Sequence, residues 1–179
     1  MLARKAGKSY EQVIIARICK PLGMRDTKIT LSDADRARLA QGHDFAGFAL
    51  PPWDFDALAG CGAIRSTADD MLTYVAANLG LVDAPHPLRE ALRLTHERQA
   101  AVDARDDIAL GWHVGKRTGA RWHNGQTGGY HSFVAFVPEK KVGVVVLSNT
   151  GGGMADTIGV QLLLTMLGEE VEPIQPNPK

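Results

Sequence analysis

Apolar positions recur at two different periods along this chain, and the period changes near residue 108. Val13, Ile14, Ile18 and Leu22 keep helical spacing, which predicts a short amphipathic helix from about Tyr10 to Lys20, closed by Pro21 and Gly23. No N-cap signal stands ahead of it, so "MLARKAGKSYEQVIIARICKPLGM" reads as running straight into helix, as if Met1 lay inside an element. From Asp26 to Gly60 neither period is sustained, and "GFALPPWDFD" carries paired prolines; a long irregular excursion is expected, with one short helix around Asp33–Ala40. "STADDMLTYVAANLG" restores helical order, with Ser66 or Thr67 available as the cap, Asp69 and Asp70 in the first turn and Gly80 as the stop. "HPLREALRLTHERQ" predicts another helix, with Pro87 suited to its first turn.

Past residue 108 the period becomes two. "ALGWHVG", "RWHNGQ", "YHSFVAFVP" and "VGVVVLSN" predict four short strands, and "PEKK" makes a tight polar turn between the last two. "VGVVVLS" is apolar at almost every position, which suits a strand covered on both faces and predicts central placement. "GGGMADTIGVQLLLTMLGEE" then reads as a helix after a glycine break, with Ile158, Leu162 and Leu163 on one face, before a proline-rich tail. The expected class is α+β: an antiparallel sheet of three to four strands with the C-terminal helix packed on it. One domain is expected over 1–179, with a helical and irregular region at 1–107, sheet plus helix at 108–168 and a tail at 169–179.

Composition narrows the partners. The 179 residues are 45% hydrophobic, enough for a core, and 20 Lys+Arg balance 20 Asp+Glu, so neither nucleic acid nor an anionic membrane is an expected partner. The first ten residues hold no signal-peptide apolar segment and no run of eighteen apolar residues occurs, so the chain as given is expected to be cytoplasmic. Cys19 and Cys61 are far apart with no CxxC spacing, and read as small buried apolar residues with one optional bridge left open.

Candidate chemistry centres on "HNGQTGGYHSF" at 123–133. Among six histidines, His113, His123 and His131 converge if their strands are neighbours, and imidazoles are good zinc ligands. No HxH or HExxH spacing supports such a site, so no metal is expected and hydrogen-bonded or solvated histidines are the stronger reading. Asp69 and Asp70 read as first-turn helix charges before an acid/base pair. Trp53, Phe55 and Trp112 read as packing anchors before an aromatic pocket. Cys61, between glycines, reads as a small filler before a nucleophile.

Four ordered blocks carry a resemblance: "PLGMRDT" at 21–27, "GCGAIRSTADDMLTY" at 60–74, "LGWHV" at 110–114 and "HNGQTGGYHSFVAFVPEKKVGVVVLSN" at 123–149. Together they resemble the class C β-lactamase, penicillin-binding protein and family VIII esterase group of serine hydrolases. The resemblance implies an incomplete β-lactamase-like fold matching the C-terminal portion of that group, whose full-length members are often exported. It also implies acyl transfer from β-lactams, D-Ala peptides or esters, in which a serine of an S-x-x-K motif attacks, a tyrosine of Y-x-N assists and a K-T-G or H-x-G strand lines the pocket. His123, Asn124 and Gly125 match the third element. By that match His123 offers a hydrogen bond, Gly125 leaves room for substrate, and the amide of Gln126 helps bind the oxyanion.

The other two elements are missing from these 179 residues. None of Ser9, Ser32, Ser66, Ser132 and Ser148 has lysine three positions later, and none of Tyr10, Tyr74 and Tyr130 has asparagine two positions later. The expectation is a hydrolase-family fragment with little or no activity by the family route. A non-catalytic binding or self-assembly module, and a hydrolase using a histidine-bound zinc, are the alternatives. In the family the last strand pairs with one from the N-terminal segment, so an exposed edge at 142–148 is implied. A homo-oligomer, an element-swapped dimer or capture of a separate N-terminal chain follows from it.

Overall fold

A computed structural model describes residues 2–174. Helix α1 (Leu2–Ala6) ends at Gly7, whose φ is 61°. Ser9 then opens α2 (Tyr10–Ile14) with a capping box: its hydroxyl accepts the Gln12 N–H at 3.1 Å while the Gln12 side chain accepts the Ser9 N–H at 2.9 Å. The helix around Tyr10 to Lys20 therefore forms, but it starts from a cap, against the expectation that none was present. Its path continues through a π-helical turn at Ile15–Cys19 into α3 (Lys20–Leu22), and Gly23 closes it in the left-handed region at φ 73°.

The irregular stretch contains α4 (Asp33–Arg38), a two-stranded ladder of β1 (Gly42–His43) and β2 (Ala49–Leu50), and a 3₁₀ segment at Asp56–Cys61. Helix α5 (Ala68–Asn78) is capped by Thr67, whose hydroxyl accepts the Asp70 N–H at 3.3 Å. Helix α6 (His86–Thr95) begins behind Pro85 with Pro87 in its first turn.

Six strands form one antiparallel sheet in chain order: β3 (Ala100–Ala101), β4 (Asp106–Ile108), β5 (His113–Gly115), β6 (Arg121–Thr127), β7 (Tyr130–Val137) and β8 (Val142–Ser148). The class is α+β, as expected. The sheet exceeds three to four strands because β3 and β4 span only two and three residues, too few to show an alternating pattern. Helix α7 (Met154–Met166) lies across one face and α5 across the other.

Strand β8 is the last of the sheet, not a central one. Its apolar composition reports coverage rather than position, since α7 packs on one side of it and α5 on the other. Two cores result. Ala120, Phe133, Ala135, Val137, Val144 and Leu163 gather under α7, while Val75, Leu79, Trp112 and Phe136 gather under α5. Among the described residues no helix is long and apolar enough to cross a membrane. Of the expected tail, positions 175–179 lie outside the described residues.

Candidate active-site cleft

A cleft of about 580 Å³ opens between the α2–α3 segment, the 53–66 stretch, α5 and the end of the β6–β7 hairpin. That volume is within the range of small-molecule sites. Its sheet wall is the candidate motif. Register pairs Asn124 with Phe133 and Gln126 with His131, and alternation along a strand turns His123, Gly125 and Thr127 to the α5 side and Asn124 and Gln126 to the α7 side.

A Cβ placed on Gly125 would sit 3.6 Å from Ser132 Oγ, an ordinary contact. Nothing in the chain's own packing therefore requires glycine there, and the space it leaves belongs to the cleft. His123 is exposed at the cleft, and its Nδ1–H donates to the Asn124 carbonyl at 2.6 Å, which leaves Nε2 as the free nitrogen.

The hairpin tip, by contrast, needs its glycines. A Cβ on Gly128 would fall 2.5 Å from the Trp53 indole nitrogen, and one on Gly129, at φ 76°, 2.7 Å from the Gly42 backbone. The His43 N–H donates to the Gly129 carbonyl at 3.2 Å and the Tyr130 hydroxyl to the Ala40 carbonyl at 2.7 Å. The irregular region is thereby fastened to the pocket strand. Trp53 and Phe55, with centroids 6.0 Å apart, line the cleft, whereas Trp112 is buried against Phe136 and Tyr74.

The opposite wall is organised by Asp70. Its carboxylate accepts the Arg25 N–H at 3.3 Å, the Asp26 N–H at 2.8 Å and the Thr27 hydroxyl at 2.7 Å, tying "PLGMRDT" to the start of α5. Ser66 is occupied as well, its hydroxyl 2.7 Å from that of Thr27. Arg65 donates to the carbonyls of Ile29 at 2.6 Å and Trp53 at 3.1 Å, which fixes the stretch carrying the cleft aromatics. Burial raises the Tyr74 phenol above its ordinary value, outweighing a hydrogen bond with Asn78, so its hydroxyl keeps its proton at the cleft floor. Cys19 and Cys61 are free thiols: Cys61 is exposed at the cleft wall, and burial first, then the charge of Asp70, pushes the Cys19 thiol up.

The three candidate histidines part company. His113 stacks on Trp122 with centroids 4.4 Å apart and lies 5.9 Å from His123. His131 instead engages Asp156 on α7 at 2.9 Å and Gln126 at 3.3 Å. Among the described residues no group of three potential ligands is arranged to hold a metal. Asp156 also accepts from the Asn124 amide at 2.9 Å, a connection the sequence left unmarked because the two lie 32 positions apart with no motif between them.

The β-lactamase family model matches residues 1–163, and the chain belongs to the β-lactamase family. A β-lactamase of Pseudomonas fluorescens is 27% identical over 184 residues, covering 83% of this chain and 51% of the relative. The D-alanyl-D-alanine-carboxypeptidase/endopeptidase AmpH of Escherichia coli K12 is 27% identical over 160 residues, covering 82% of this chain and 41% of that protein. Among solved structures, a D-alanine carboxypeptidase AmpC from Burkholderia cenocepacia superposes with a TM-score of 0.80 at 22% identity, over 93% of this chain and 57% of that one. This structural likeness speaks for the fold alone. The chain spans about half the length of the β-lactamases it matches, 51% and 48% of the two relatives.

Proposed function

We propose that this chain forms the sheet-side wall of a serine-hydrolase site for β-lactams, D-Ala peptides or esters, and that its own residues give little or no turnover by the family route. The observation that carries the reading is the open space over Gly125 in a cleft-lining H-x-G strand, which the fold itself does not use. In this role the Gln126 N–H is an oxyanion donor, His123 supplies a hydrogen bond, and no serine precedes a lysine at the motif spacing. The β-lactamase and D-alanyl-D-alanine-carboxypeptidase/endopeptidase names of the relatives support the substrate class.

The test is hydrolysis of nitrocefin and p-nitrophenyl esters with and without a chelator. Loss of a serine nucleophile costs on the order of a million-fold in a studied protease, so rates at the uncatalysed background are expected. Chelator-resistant turnover would sink the reading, and turnover that a chelator abolishes would favour a histidine-bound metal.

A second reading rests on β8. Val142–Ser148 holds no charge and no proline, ends the sheet, and exposes Leu147 at 43%. A second copy of this chain pairing antiparallel along that edge is the proposed occupant, because an uncharged strand is complementary to itself about a two-fold axis. Sedimentation at several concentrations is expected to show a dimer; a monomer throughout the micromolar range counts against it, and a heterologous chain co-purifying at fixed stoichiometry favours a separate N-terminal segment instead.

A further inference from the structure

Behind the cleft wall, on the α7 side of the sheet, one carboxylate reaches two strands. Asp156 stands in the first turn of α7, where the helix dipole favours a negative charge. Its Oδ2 accepts the Asn124 side-chain N–H of β6 and its Oδ1 accepts the His131 Nε2–H of β7, each at 2.9 Å. His131 is 6% exposed, so its ring protons depend on partners inside the protein. The carboxylate accepts only, which fixes the proton on Nε2 and turns Nδ1 to the Gln126 side-chain amide at 3.3 Å. Gln126 answers with its NH2 if the ring is neutral and with its oxygen if the ring is doubly protonated.

The two tethered side chains flank Gly125. Glycine at that position leaves the cleft open, and it also leaves the strand with no side chain to hold its own orientation there. Asn124 is held directly by Asp156, and Gln126 through His131. We propose that Asp156 is a positioning residue that sets the direction of the Gln126 backbone N–H from behind the sheet. The proposal rests on the reading of 123–126 as a pocket wall.

Nitrogen-15 NMR of the full chain tests it. His131 is expected as a ring with a slowly exchanging Nε2 proton. In Asp156→Asn that proton exchanges about tenfold faster, the factor for losing one charge-assisted hydrogen bond, and the amides of Gly125 and Gln126 shift more than in the distant surface variant Asp83→Asn. Benzylpenicillin titrated into the native chain is expected to move the Gln126 amide, with weaker binding in Asp156→Asn. A bare Nε2 on His131 in the native chain overturns the proposal, and so does an Asp156→Asn spectrum in which Gly125 and Gln126 move no more than in the control. Should Asp156→Asn not fold, the native His131 spectrum still decides. Penicillin that leaves residues 123–126 unmoved counts against the pocket reading, while the ligand-free spectra judge the positioning role separately.

Discussion

Gly143 of β8 lies directly under Val75 of α5, so closely that a Cβ on the glycine would overlap the Val75 Cγ1 methyl. On the other side of the sheet, a Cβ on Gly159 of α7 would overlap the ring of Phe133. Close approach at these two glycines lets both helices settle onto the sheet and bury its terminal pair of strands. Val75 and Phe133 are each 3% exposed and have little room to yield. Gly143→Ala and Gly159→Ala are each expected to destabilise by about 1–3 kcal/mol through overpacking, measured by urea denaturation at unchanged m-value. A neutral Gly143→Ala would mean that α5 rides higher on β8 than described.

That sandwich explains what the sequence could and could not convey. "VGVVVLS" announces contact on both faces, and both contacts exist, but a run of valines carries no record of which strand lies beside it, so the edge position of β8 was invisible. Helices α5 and α6 were legible because Thr67, Pro87 and the apolar spacing act locally. Ser9 and Gln12 form an S-x-x-Q capping box that is as local as Thr67, so the start of α2 is written in the sequence even though the apolar spacing does not mark it. Strands of two and three residues, Ala100–Ala101 and Asp106–Ile108, are too short to show a period. At the site, His123 to Gln126 were legible only through resemblance to a family. The Asp156 contacts with Asn124 and His131 are products of tertiary packing between distant segments, and no local pattern encodes them.

Gly125→Ala separates pocket from scaffold. Its Cβ meets nothing nearer than Ser132 Oγ at 3.6 Å, and the backbone there is not in the left-handed region. The melting temperature is therefore expected to stay within the range of ordinary surface changes, about ±0.5 kcal/mol in stability. The methyl projects into the cleft, so benzylpenicillin-induced amide shifts along 123–127 should weaken. Loss of stability without loss of ligand shifts would show that the glycine serves the fold.

Asp70 holds three donors from the 25–27 segment at once, and two of them are backbone N–H groups with no alternative partner on α5. Asp70→Ala should cost about 1–2 kcal/mol, because two part-buried backbone N–H groups lose their acceptor while the Thr27 hydroxyl falls back on Ser66. Asp70→Asn keeps one acceptor oxygen and should cost less. Thermal melts of both variants check the order, and equal losses would mean that the charge matters more than the number of accepted bonds.

His96 gives the fold an acid sensitivity of its own. Its Nε2–H donates to the Asn78 side-chain oxygen at 2.8 Å and its ring lies 5.1 Å from that of Phe136. Burial, reinforced by the nearby positive charge of Arg121 and only partly opposed by Glu139, lowers its pKa from 6.5 to about 4. Above pH 6.5 both folded and unfolded chains carry the neutral ring, and this group adds no pH dependence. As the pH falls from 6.5 towards about 4 the unfolded chain gains a proton that the folded chain refuses, so stability declines, and the loss levels off below that window. Glu11, where burial is outweighed by hydrogen bonds from Thr30 and Ile29, and Asp107, held low by its hydrogen bond from Arg98, act below their ordinary values of 4.5 and 3.8, at the acid end of the range. Urea denaturation between pH 7 and pH 4.5 should therefore show a falling stability that His96→Gln, which retains a donor for Asn78, largely flattens. Parallel curves for the two proteins across that interval would mean that His96 takes up its proton as readily in the folded chain as in the unfolded one.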